Sequence, residues 1–151
     1  MVDKIYLKKH MIHREELRNE QERYALLESK CIPGSKQMDG MPHAPSGSKD
    51  AGYINDTFEK MEVEKKIAEL NETIREEYHV INRVVEKLRD PDEKNVLKLR
   101  YFNCLEWLDI RDVMFSKRRD YSDNMDKYKD KMFKIHGAAI KHIKEIQEAA
   151  G

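Results

Sequence analysis

The sequence predicts an all-α fold: an N-terminal helical hairpin or coiled-coil arm followed by a C-terminal helix-turn-helix cluster. Three observations predict it. Val63, Ile67, Leu70, Ile74, Ile81, Val84 and Leu88 repeat at three- and four-residue spacing, close to a heptad seam. Asp90-Pro91-Asp92-Glu93 carries the signals of a helix start, and two short apolar sets follow it. Met132, Ile135, Ala139, Ile143 and Ile146 then recur at helical spacing in a basic segment. The 151 residues accordingly divide into an N-terminal helix (1–30), a flexible Gly/Pro/Ser-rich linker (31–55), a long amphipathic helix (56–89) and a helix-turn-helix domain (90–151).

Over residues 3–30, Ile5, Ile12, Leu17, Tyr24 and Leu27 recur loosely at helical spacing among charges, without Gly or Pro. Cys31-Ile32-Pro33-Gly34 ends this helix, since Pro cannot continue it and Gly suits the exit. Residues 31–55 hold four of the six glycines and three of the four prolines, with Ser35, Ser46 and Ser48, a composition that resists regular structure. Asp56 or Thr57 is the expected cap of the long helix. Glu77 falls on its seam, with Tyr78 beside it. Such a helix is about 45 Å long, more than the small C-terminal cluster covers, so its stripe needs a partner. The expected partners are the 3–30 helix folded back as a hairpin and a second copy of the chain, giving a homo-oligomer through residues 56–88.

In the C-terminal part Asp90 caps, Pro91 takes the first helical position and Glu93 completes a capping box. Val96, Leu97, Leu99 and Tyr101 follow, and Asn103-Cys104 is a turn. Leu105, Trp107, Leu108, Ile110, Val113 and Met114 form a second short helix. Residues 116–128 are polar and ambiguous, and a long basic helix runs from about Lys127.

Charge is balanced overall, with 29 basic and 29 acidic residues, so nucleic-acid binding has to rest on local charge. Residues 116–144 hold nine Lys/Arg against four Asp/Glu, whereas 57–88 hold six against eight, so the basic excess falls on the C-terminal helices. A helix-turn-helix reader needs one helix packed across a second, which enters the major groove. Its expected core is Tyr101, Trp107, Ile110 and Met114 against Met132, Ile135 and Ala139, with Trp107 buried between the two helices. Lys127, Lys129, Asp130, Lys131 and Lys134 then face outward, Lys141 is a further expected DNA contact, and Lys117-Arg118-Arg119 grips phosphates beside the groove. The same periodicity also fits a plain helical bundle with a solvated basic face, and the 117–119 run a solvated loop.

The order Leu97-Lys98-Leu99-Arg100-Tyr101, Leu105-x-Trp107-x-x-Ile110 and Lys134-Ile135-His136-Gly137-x-Ala139-Ile140 resembles region four of bacterial sigma factors. More closely, it resembles the small phage and prophage transcription regulators that borrow this region, of the ArpU and RinA type and their relatives. Met41-Pro42 in the linker and the long helix after it match that order of elements. The resemblance implies a DNA-binding transcriptional regulator in the cytoplasm of a bacterial host, associated with the nucleoid. It also implies double-stranded DNA as partner, His136 near the groove-facing helix, and a contact with RNA polymerase. Two positions depart from the pattern: Arg111 stands where a small residue is usual, and Tyr128 stands where a Ser caps the reading helix. Rival readings are a helical adaptor that oligomerises through its long helix, and a phage DNA-packaging subunit of small-terminase type.

Other chemistry is not expected. His10 and His13, like His136 and His142, lack the further ligands a zinc site needs, so neither metal nor cofactor is expected. There is no P-loop, Gly-x-Ser-x-Gly or His-Glu-x-x-His, and no enzymatic activity is expected. Cys31 and Cys104 lie far apart without CxxC spacing, as in a reducing cytoplasm. No signal peptide and no membrane span is expected.

Overall fold

The computed structural model describes residues 1–31 and 47–151, with side chains over 1–30 and 55–151. Among these residues the chain is all-helical, without strands. Its elements are α1 (Lys4–Cys31), α2 (Gly47–Val85), α3 (Pro91–Leu97), a π-helical turn (Lys98–Phe102), α4 (Trp107–Phe115) and α5 (Met125–Ala150). None of these helices is long and apolar enough to cross a membrane. The chain divides into two compact units, one of Glu15–Thr73, the other of Met1–Arg14 with Ile74–Gly151.

The long helix departs from expectation at both ends. It starts at Gly47, inside the expected linker, so Asp56 and Thr57 are interior residues rather than caps. An established helix extends at one hydrogen bond per residue fixed, which lets it run through Gly52 and Gly47 despite their poor propensity. The remainder of the expected linker, including Met41-Pro42, lies outside the described residues. At its other end α2 stops at Val85, and Leu88 closes a turn on the Val85 carbonyl (3.0 Å).

In the Glu15–Thr73 unit, α1 and α2 supply the hairpin half of the expectation. Arg23 pairs with Glu59, the Tyr24 hydroxyl donates to Glu64 (3.0 Å), and Lys60 Nζ lies 5.3 Å from the Tyr24 ring centre. Leu27, Val63 and Leu70 are buried here, whereas Leu26, Phe58 and Met61 are exposed.

The other unit holds the main core: Leu7, Ile81, Val85, Val96, Leu97, Ile110, Phe115, Met132, Ala139 and Ile143 are all essentially inaccessible. Asp3 caps α1 by accepting from the Tyr6 N–H (2.8 Å). Gln147 clamps that end, accepting from the Val2 N–H and donating to the Val2 carbonyl (both 2.7 Å). Asp90 caps α3 as expected, accepting from the Asp92 N–H (2.9 Å), with Pro91 at the first position. Glu93 does not complete the capping box. It is buried, and its carboxylate accepts from His142 Nδ1 on α5 (2.9 Å to each oxygen), because a buried carboxylate gains more from a charge-assisted partner than from a terminal amide.

Glu77, the polar residue on the seam, is also buried. It accepts from His10 Nδ1 (3.1 Å) and His13 Nδ1 (2.9 Å). Arg14 Nε donates to His10 Nε2 (2.9 Å). Arginine cannot accept a hydrogen bond, so Nε2 carries the lone pair and His10 is the neutral Nδ1–H tautomer. Burial, which depresses the His10 pKa, favours the same state.

Candidate nucleic-acid interface

The interface is built outward from the packing of α4 on α5. All seven expected core residues take part: Tyr101, Ile110, Met132 and Ala139 are buried, and Trp107, Met114 and Ile135 pack half-buried against them. Trp107 is thus less enclosed than expected. Its ring meets Phe133 (5.2 Å between centres) and His136 (4.8 Å, edge-on), and Arg100 stacks over it at 4.6 Å. The π turn makes this arrangement possible. It directs Tyr101 inward and Arg100 towards Trp107, and Arg100 also donates to the Leu105 carbonyl (2.8 Å). Cys104, at φ 55° in the left-handed region, reverses the chain so that the Leu105 N–H reaches the Leu99 carbonyl (3.1 Å).

Residues 116–124 form an ordered turn anchored by three aromatic rings. Phe115 is buried and stacks on Tyr128 at 5.0 Å. The Tyr128 hydroxyl donates to Asp120, which holds that carboxyl below the usual carboxylate range. Tyr121 donates to Asp112 and accepts from Arg111 Nε (3.0 Å). Both departures from the resembled pattern therefore have a structural use: Arg111 reaches across to hold the turn, and Tyr128, inside α5, pins it. Asn124 precedes α5, but its side chain makes no capping hydrogen bond to that helix.

The cations fall into separate groups. At about 100° per residue, Lys127, Lys131 and Lys134 share a strip about 60° wide, turned away from Met132 and Ala139 by about 80–160°. They line one shallow groove of about 410 Å³ with Tyr128 and Asp130. Arg118 joins them: its guanidinium and Lys131 Nζ approach the Phe115 ring at 5.8 and 5.7 Å. The turn thus brings the 117–119 run beside the helical strip, and Lys117, Arg118 and Arg119 are all exposed. Lys141 continues the strip but pairs with Glu145 (3.9 Å).

Two expected contacts are corrected. Lys129 is half-buried and lies about 160° around the helix from Lys127 and Lys131. It sits one turn before Phe133, on a different face. His136 is buried, with Nε2 hydrogen-bonded to the Tyr101 hydroxyl (2.9 Å), because its position on α5 faces the core. Phe115, Tyr121, Phe133 and Arg111 were not singled out by spacing as parts of the site. Phe115 follows Met114 directly and extends the α4 apolar set by one residue, which is the signal that could have marked it.

Burial, reinforced by Lys4 and Arg100, pushes the His136 pKa down to about 4. The unfolded value is near 6.5, so folding favours the neutral ring. This contribution is complete above pH 6.5, declines as pH falls towards about 4, and is flat below. The predicted loss across that window is at most about 3.5 kcal/mol. Urea unfolding at pH 7, 5.5 and 4.5 should show a steeper fall for the wild type than for His136→Gln; parallel curves would contradict the assignment.

Among the described residues no three His, Cys, Asp or Glu converge to hold a metal ion. No protein-family model, curated protein or solved structure matches this chain.

Proposed function

We propose that this chain is a DNA-binding transcriptional regulator of phage or prophage type, holding double-stranded DNA against the outer face of α5 and the 116–124 turn. The observation that carries this reading is the strip of Lys127, Lys131 and Lys134 joined by Arg118 at the Phe115 ring. No ion pair within 4 Å among the described residues engages any of these four; Lys127 and Arg118 feel Asp120 at longer range, and the strip's remaining charge faces outward to phosphate. The resemblance of residues 97–140 to sigma region four supports the same reading and, with it, a promoter or operator site, a contact with RNA polymerase and a place in the bacterial cytoplasm. Lys117 and Arg119 add phosphate contacts from the turn; Lys129 and His136 are not part of this face.

Fluorescence anisotropy tests the reading, using duplex DNA from upstream of the chain's own locus and a scrambled duplex across a salt series. Tighter binding of the native duplex that persists at physiological salt is expected. Equal, weak binding of both that vanishes there would overturn it.

The adaptor reading is favoured by one separate observation: Phe58 and Met61 are exposed one turn apart on α2. Homo-oligomerisation through residues 56–88 accommodates both readings. Light scattering at tens of micromolar should then give a mass above the 18.0 kDa chain. Phe58→Glu with Met61→Glu should return it to a monomer, whereas a wild type already monomeric would exclude this assembly.

A further inference from the structure

A second concavity lies away from the cation strip, between the turn that follows α2 and the last turns of α5. It is a half-open groove of about 500 Å³, comparable in volume to small-ligand pockets. Leu88, Ile146 and Ala149 give it an apolar floor, and Lys87, Arg89 and His142 give it cations.

Its acids are already engaged by the protein. Asp90 accepts from the Asp92 N–H, Glu93 accepts from His142 Nδ1–H through both oxygens, and Glu145 pairs with Lys141. Its donors are not engaged: no ion pair among the described residues holds Lys87 or Arg89, and His142 Nε2 has no hydrogen-bond partner there. Glu93 is the fixed part, with its side chain only 6% exposed, while the His142 ring is 48% exposed and opens to the groove. A buried carboxylate on Nδ1 fixes the ring's tautomer and orientation, and directs Nε2 outward, as in carboxylate–histidine pairs elsewhere.

We propose that this groove binds a small amphiphilic anion, its carboxylate or phosphate head held by His142 Nε2–H, Arg89 and Lys87 and its apolar body laid on Leu88, Ile146 and Ala149. The unused donors set the sign of the head group, and the apolar floor sets the nature of the body. Glu93 is a positioning residue. The hydrogen bond to Glu93 raises the His142 pKa, with Glu145 acting in the same direction and Lys141 against it. The protonated ring is therefore favoured in the folded protein. Bound anion should raise this pKa further, and affinity should fall as pH rises through it. The other charged groups that line the groove are Lys87, Arg89, Asp90, Glu93 and Glu145.

The test uses the full chain, octanoate and octyl phosphate as probes, and octanol as the uncharged control. Binding is followed by calorimetry and by the imidazole resonances of His142. Both anions are expected to bind and to shift those resonances, and octanoate, whose charge is constant over the range, to weaken with rising pH; octanol is expected to bind far more weakly. A preference for one anion identifies the head group. His142→Gln and Arg89→Gln should each weaken binding roughly tenfold or more, the scale of a lost charge-assisted hydrogen bond. Should either variant lose helicity, the wild-type pH dependence decides in its place. Octanol equal to octanoate, octanoate binding independent of pH, or no response of His142 at millimolar probe would each overturn the proposal. It does not depend on the DNA-binding reading, and neither result bears on the other.

Discussion

Phe115→Ala is expected to lower the free energy of unfolding by about 3–5 kcal/mol, the cost of deleting a fully buried aromatic ring. Phe115 is 2% exposed, closes the core where α4 ends, and stacks on Tyr128. The surrounding helices cannot collapse onto the vacancy without releasing the 116–124 turn, since the same Tyr128 hydroxyl holds Asp120. Such a loss is a large part of the roughly 5–15 kcal/mol that stabilises a typical domain. Phe115→Leu keeps most of the volume and should cost about 1 kcal/mol. It removes the ring against which Arg118 and Lys131 lie, so binding to duplex DNA should weaken more than stability does. Urea unfolding followed by circular dichroism measures the first effect. A loss below 1 kcal/mol for the alanine variant would mean that the ring does not close this core. Trp107→Ala should cost less than Phe115→Ala, because Trp107 is only half-buried.

That inversion shows what the sequence could and could not convey. The helices themselves were legible from apolar spacing, and the cap of α3 from Asp90-Pro91, because both are local rules. Glu77 was legible as a seam position. Its partners were not, since His10 and His13 lie more than sixty residues away and no local pattern links them. Glu93 misled for the same reason: the capping box is a local motif, and His142, 49 residues on, outcompeted it. The start of α2 was missed because glycine content records propensity, whereas helix extension is cooperative. At the site, the outward-facing set expected from spacing joins Lys129 to Lys127, Lys131 and Lys134, whereas at about 100° per residue only the last three share a face. The same arithmetic places Lys129 on another, and His136 on the core side with Met132 and Ala139. The role of the 116–124 turn was not legible, because polar composition leaves it ambiguous, whereas Arg111, Tyr121 and Tyr128 use their polar ends to fold it.

Changing Lys127, Lys131 and Lys134 together to Ala should weaken duplex binding by roughly a hundredfold to a thousandfold near 0.1 M salt. Each phosphate contact contributes close to tenfold there through counterion release. The log–log salt slope should fall by about two to three units. Stability should change little, because all three side chains are exposed and alanine is the best helix former. Lys129→Ala should leave affinity nearly unchanged, which separates this account from a general effect of lowering positive charge. Neutralising Lys117, Arg118 and Arg119 should weaken native and scrambled duplexes alike, as expected of contacts that touch only phosphate. A triple lysine variant that binds as the wild type does, with an unaltered slope, would remove the strip from the interface.

Lysine acetylation, mapped by mass spectrometry with and without the native duplex, tests the central claim most directly, because it reads the face that is covered rather than the consequence of altering it. Lys127, Lys131 and Lys134 should be protected together, with Lys117 beside them. Lys60 and Lys65 on α2 and Lys87 at the second groove should react as they do in the free protein. Protection spread evenly over all lysines, or concentrated on α2 while the α5 strip stays reactive, would contradict it.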